Sequence, residues 1–194
     1  MKIASVTDYR EAARRRIPHF LFEYMDGGSY DELTLRRNIT DLQAIALRQR
    51  VMRDISSLDL STDLFGKRQS MPVVLAPVGL AGMLARRGEV QAARAAQKAG
   101  VPFTLSTVSA CSLQEVSKGD SEPVWFQLYT SDSFAVTTKL LQRAEGAGCP
   151  VVAAPMWPAG NAGVHRMDVV RASDGASMLP GGAPVAVDMG TGCT

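Results

Sequence analysis

Three short apolar stretches of this chain each end in groups able to hold a ligand. Val73 to Ala76 runs into Ala76-Pro77-Val78-Gly79, Pro102 to Leu105 into Ser106-Thr107, and Val124 to Leu128 carries Gln127 and Tyr129. Gln127 and Tyr129 are two residues apart, so on a strand both side chains leave the same face. A hydroxyl, a carboxamide and a phenol gathered at one rim suit a ring with several nitrogen and carbonyl groups, such as a flavin. Singly, each has a blander reading: Ser106 as the cap of a turn, Tyr129 as a core phenol. Their recurrence on three successive apolar runs argues for a ligand pocket.

The elements that must position these groups follow from periodicity. The apolar runs do not alternate, which means burial on both faces, as in a parallel sheet. Helical patterns separate them. One spans Gly88 to Ala99 with Gly100 as its C-cap, one Ser112 to Ser117 is opened by Ser112-x-x-Glu115, and one covers Asp132 to Ala147, stopped at Gly148. Val151 to Ala154 supplies a further strand. Strand and helix thus alternate as in a (β/α)8 barrel or a doubly wound sheet, whose ligands sit at the carboxyl ends of the strands. Before Pro72 this rhythm is missing. Helices are predicted over Asp8 to Ile17, Pro18 to Met25 and Asp31 to about Asn38, and the alternating segment Leu58 to Met71 reads as a β-hairpin around Phe65-Gly66-Lys67. Residues 155–194 are rich in proline and glycine and are expected to be mostly irregular, with at most a helical turn at Asp168 to Ala172.

Composition excludes several classes. The 21 basic and 19 acidic residues give a net charge of +2 without a basic stripe, so nucleic acid is not an expected partner; Arg14-Arg15-Arg16 reads as a solvated helix face. Cys111, Cys149 and Cys193 are widely spaced and outside any zinc-ligand pattern, so no metal and no disulfide is expected, and a reducing, cytoplasmic compartment fits. Met1 to Arg16 lacks an apolar run, and nothing approaches the ~20 apolar residues that span a bilayer. Neither GxGxxG nor GxxxxGK[ST] occurs.

Read as words, the segments resemble one family. Phe20-Leu21-Phe22-Glu23-Tyr24-Met25-Asp26-Gly27-Gly28, Thr34-Leu35-Arg36-Arg37-Asn38 and Ala46-Leu47-Arg48-Gln49-Arg50 are similar to the N-terminal extension of FMN-dependent L-2-hydroxy-acid dehydrogenases. So are Met71 to Gly79, Ala85-Arg86-Arg87-Gly88-Glu89, Phe103 to Ser109 and Trp125-Phe126-Gln127-Leu128-Tyr129, which point to the quinone-type L-lactate branch. The likeness runs from about residue 1 to Cys149. It implies an α/β fold: a partial (β/α)8 TIM barrel over residues 72–154, preceded by a helical extension and hairpin over 1–71 and followed by an irregular tail over 155–194.

The resemblance also implies roles. Tyr24 and Tyr129 match the substrate-binding tyrosines. Ala76, Pro77 and Val78 match the strand end whose backbone lies against the flavin, and Ser106 and Gln127 the side chains that bond its ring. The implied cofactor is FMN and the implied substrate a small 2-hydroxy acid, L-lactate, oxidised to pyruvate. By the same resemblance the enzyme is often homo-oligomeric, peripheral on the cytoplasmic face of the inner membrane, and delivers electrons to a quinone.

Departures follow Cys149. Where the family has a flavin-binding threonine, an aspartate and a substrate arginine, this sequence has Pro155, Trp157 and Val164. No catalytic residue is identified: the family's histidine base has no counterpart, and His165 matches no motif. The tail therefore reads as a frame-shifted continuation. The alternative to an active enzyme is an inactive truncated remnant without base or phosphate site. A small flavodoxin-like domain is a third reading; it lacks a phosphate loop and leaves the first 70 residues unexplained.

Overall fold

The computed structural model describes residues 3–118, 122–129, 131, 133–156 and 166–171; side chains are described as far as Ala154. The described chain falls into two units that meet between Asp54 and Ile55.

The first unit is helical. Helix α1 (Val6–Arg14) starts where Ser5 and Asp8 form a reciprocal capping box, each satisfying an N–H that has no partner within the helix. The Ala4 N–H, and after it the Ser5 N–H and hydroxyl, hold the Asp8 carboxyl below its ordinary range. Helix α2 (His19–Asp26) follows Pro18, whose fixed φ suits a helix start. Leu21 and Phe22 are its buried residues, and the Arg10 guanidinium stacks 5.9 Å over the Phe22 ring while bonding Asp26 with Nε and Nη2. Helix α3 (Leu33–Gln43) completes the unit.

The second unit begins with a hairpin, β1 (Thr62–Leu64) and β2 (Lys67–Gln69), turning at Phe65 and Gly66 as the alternation predicts. The barrel rhythm follows. Leu75 makes a single parallel bridge to Phe103, then come α4 (Ala81–Leu84), α5 (Gly88–Ala99), β3 (Thr104–Leu105), α6 (Leu113–Val116), β4 (Trp125–Gln127), α7 (Phe134–Gly146) and β5 (Val151–Met156). Strands β3, β4 and β5 are parallel, in sequence order, with a helix in each connection. This is the α/β arrangement of consecutive barrel units. The expected strand Val73 to Ala76 shrinks to one bridge because Pro72, Pro77 and Pro102 have no N–H to give a ladder.

One expectation is corrected. Arg166–Arg171, assigned to an irregular tail with a helical turn near Asp168, forms strand β6, antiparallel to β5 from Val151↔Arg171 to Met156↔Arg166. Its Val169-Val170 pair is β-branched, and the unpaired edge of β5 offers a template that local propensity does not reveal. Trp157, Val164, His165 and Cys193 lie outside the described residues.

Strand alternation sorts the core into two faces. Val124, Phe126 and Leu128 join Val152, Val90, Ala93, Leu113, Val116 and Ala144 on the helix-covered side. Trp125, Val151 and Ala153 face the other way, against Leu64, Phe65 and Val74. The Phe65 ring meets Trp125 edge-on at 5.3 Å and 86°, so the hairpin plugs this inner face at the strands' amino ends. Gln127 and Tyr129 continue the Trp125 face toward the carboxyl ends.

Gly100 ends α5 at φ +67°, and its carbonyl accepts the Ser70 N–H at 2.9 Å. A Cβ there would lie 3.0 Å from the Ser70 Cβ. Gly100→Ala should therefore destabilise the fold by about 1–2 kcal/mol, as left-handed strain and crowding add. An unchanged urea midpoint would contradict this.

Candidate functional site

The parallel ladder between β3 and β4 ends at Leu105↔Phe126, and side chains take over where it stops. Ser106 Oγ donates to Gln127 Oε1 at 3.0 Å, and the Thr107 N–H approaches the same oxygen at 3.4 Å. Ser106 is 3% and Gln127 2% exposed, so these are buried polar groups satisfied by one another. The Gln127 oxygen is thus committed to the protein, and its NH2 is a hydrogen-bond donor. Thr107 Oγ1 donates to the Gln127 carbonyl and accepts the Tyr129 N–H at 3.0 Å. The Tyr129 side chain is half exposed beyond this buried layer.

The loop after Leu75 joins the same rim. The Leu80 N–H bonds the Val108 carbonyl at 3.0 Å, and the Val108 N–H turns back to Ser106 Oγ at 3.3 Å. Ala76 and Val78 are exposed on this loop, with Pro77 half-buried between them. The structure thus brings together Ala76 to Val78, Ser106, Gln127 and Tyr129. Tyr24 lies on α2 in the first unit, its side chain exposed.

Below the rim sits a residue that sequence reasoning passed over. Glu89, in the first turn of α5, is 1% exposed, and its Oε1 accepts the Gly82 N–H at 2.9 Å and the Ala110 N–H at 2.8 Å. One carboxylate oxygen therefore joins the loop after Leu75 to the loop after β3. Oε2 has no hydrogen-bond partner, and the Cys111 thiol lies beside the carboxylate. Burial acts to raise the Glu89 pKa but is outweighed by the N–H groups of Glu89, Gly82 and Ala110, so the carboxyl stays below its ordinary range. The Cys111 thiol is pushed up by burial and by this carboxylate, and burial alone pushes Cys149 up to about 11. A signal existed: Glu89 precedes Ala93 and Ala96 by four and seven residues, on the apolar face of α5, where an unpaired carboxylate would not survive.

Apart from Glu89 Oε2, the buried polar side chains of Ser106, Gln127 and Glu89 are bonded within the protein, at the carboxyl ends of parallel strands. Residues 13–156 match the family model described as FMN-dependent dehydrogenase. The chain belongs to that family. It is 60% identical over 149 residues to an L-lactate dehydrogenase of Haemophilus influenzae and 59% identical to that of Alcaligenes faecalis, in each case over 77% of this chain and 39% of the relative. The chain thus spans about two fifths of the length of these curated relatives.

Solved structures agree with this membership. A mandelate oxidase mutant holding a C4a-OH-FMN adduct superposes with a TM-score of 0.71 at 35% identity, over 76% of this chain and 44% of that one. A soluble mutant of the membrane-associated (S)-mandelate dehydrogenase from Pseudomonas putida gives 0.76 at 31% identity, over 91% and 48%. The second unit is therefore part of a (β/α)8 barrel, and the family's cofactor is FMN. Among the described residues no cluster of three or more His, Cys, Asp or Glu is placed to hold a metal, and no helix is long and apolar enough to cross a membrane.

Proposed function

We propose that this chain serves FMN-dependent oxidation of an L-2-hydroxy acid, L-lactate to pyruvate. The observation that carries the reading is the buried Ser106–Gln127 pair at the carboxyl ends of β3 and β4. These residues fit an isoalloxazine ring: with the Gln127 oxygen committed to Ser106, its NH2 is a donor suited to a ring carbonyl, and the Ser106 oxygen keeps acceptor capacity for a ring N–H. Ala76, Pro77 and Val78 would offer backbone against the flavin face, and Tyr129 would give a phenolic donor to the substrate carboxylate; for Tyr24, in the first unit, the same role rests on the family resemblance alone. When bound, FMN supplies the acceptor for the hydride equivalent leaving the hydroxy acid. The chain's own contribution is to fix the ring and orient the acid with pre-formed hydrogen bonds, which spares the cost of ordering them at each turnover. The choice of L-lactate is supported by the relatives at 60% identity. A quinone acceptor and peripheral attachment to the cytoplasmic face of the inner membrane belong to the same proposal; membrane association, without its side, is supported by the membrane-associated neighbour.

The test is an absorbance spectrum of the purified chain after incubation with FMN and desalting. Near-equimolar retained flavin is expected. A chain that unfolds cooperatively yet retains none would overturn the reading. Anaerobic addition of L-lactate to the loaded chain then reads the reaction: bleaching supports substrate oxidation, and retention without bleaching limits the chain to cofactor binding.

A further inference from the structure

Main-chain bonds in a parallel ladder recur at every second residue. Here Thr104 lies opposite Trp125, and the Trp125 N–H bonds the Phe103 carbonyl at 2.9 Å. Continued in that register, the ladder would pair the Thr107 N–H with the Gln127 carbonyl and the Tyr129 N–H with the Thr107 carbonyl. Neither main-chain bond forms. The Thr107 hydroxyl makes both in their place, donating to the Gln127 carbonyl and accepting the Tyr129 N–H at 3.0 Å. A hydroxyl can do this because it is donor and acceptor at one atom. The Thr107 main chain is then released, its N–H directed toward Gln127 Oε1 and the following Val108 N–H toward Ser106 Oγ.

We propose that Thr107 is a positioning residue of the rim: its side chain stands in for two ladder bonds, holding Gln127 and Tyr129 in strand register while the β3 main chain turns away to frame the ring. The inference rests on the flavin reading above. It assigns Thr107 no contact with the ring or the acid; it acts through the backbone of Gln127 and Tyr129. Serine keeps the function, since only the hydroxyl is used. Valine, which matches threonine in shape, does not.

Thr107→Val and Thr107→Ser in the full chain separate these roles, read by amide hydrogen exchange at Tyr129 and by quenching of FMN fluorescence on binding. In Thr107→Val the Tyr129 amide should exchange about tenfold faster and the FMN dissociation constant rise about tenfold, the worth of one hydrogen bond. Thr107→Ser should stay within about threefold of wild type in both, since its hydroxyl keeps both bonds. A valine variant matching wild type, or a serine variant as impaired as valine, overturns the proposal. If the valine variant fails to fold, serine decides alone: near-wild-type values support the hydroxyl, and a loss rejects it. Failure of the wild-type chain itself to bind FMN defeats the flavin reading and this inference with it, an outcome distinct from failure in a variant only.

Discussion

Glu89→Ala should lower the unfolding free energy by about 3 kcal/mol, among the largest effects of any single change in the second unit. The truncation removes the acceptor of the buried Gly82 and Ala110 N–H groups, and each orphaned donor costs about 1–3 kcal/mol. Relief of the unpartnered Oε2 offsets part of that loss. Urea denaturation at constant slope measures it, and a loss below about 1 kcal/mol would show that water or a shifted loop replaces the carboxylate. Glu89→Gln, still able to accept, should cost less.

The glutamine variant also isolates a pH effect. The folded pKa of Glu89 is lowered, so the group binds a proton more readily in the unfolded chain. Its stabilisation is therefore complete above the ordinary value of 4.5 and is lost as pH falls through the lower folded value. Asp26, held low by Arg10, and Asp59, held low by Ser61, act with the same sign. Wild type and Glu89→Gln should then both weaken in acid, the variant less steeply. Parallel acid limbs would refute the assignment.

Gln127→Leu should abolish flavin retention on desalting, with affinity falling roughly tenfold to a hundredfold. Two losses combine. The amide donor that the proposed site offers the ring disappears, and Ser106 Oγ and the Thr107 N–H lose a shared acceptor in a buried site. Leucine nearly conserves volume, so the fold should weaken by only about 1–2 kcal/mol. Binding and stability are thereby separable: FMN titration and thermal unfolding on one sample distinguish a lost ligand contact from a lost fold. Unchanged affinity would remove Gln127 from the proposed site. Ser106→Ala, which spares the amide, should show a smaller loss in both.

Some of this was legible without coordinates, because it depends on neighbours in sequence. Gly88 to Ala99 was fixed by its apolar spacing and by Gly100, the Ser112 cap by its spacing to Glu115, and the hairpin by alternation around Phe65-Gly66. The unalternated runs at Pro102 and Val124 marked strands buried on both faces, and Gln127 and Tyr129 were placed on one face by a period of two. Local geometry repeats at short range, so these signals survive in a single chain.

What escaped depended on partners distant in sequence. Arg166–Arg171 became a strand because the edge of β5 was there to pair with it. Glu89 drew no role from the sequence beyond its place in a family word, and Thr107 only that of a polar group at a strand end, because their partners, Ala110 for one and Gln127 and Tyr129 for the other, lie about twenty residues away. A hydrogen bond is directional and short, and residue type records the capacity to make it without recording the atom that receives it. The sequence by itself determined most of the helices, though not α4 (Ala81–Leu84) or the extension of α3 to Gln43, together with the hairpin and the polar residue types at the strand ends. Only the tertiary structure decided that one carboxylate and one hydroxyl bind those ends into a single rim, because only folding brings the donors within 3 Å of their acceptors.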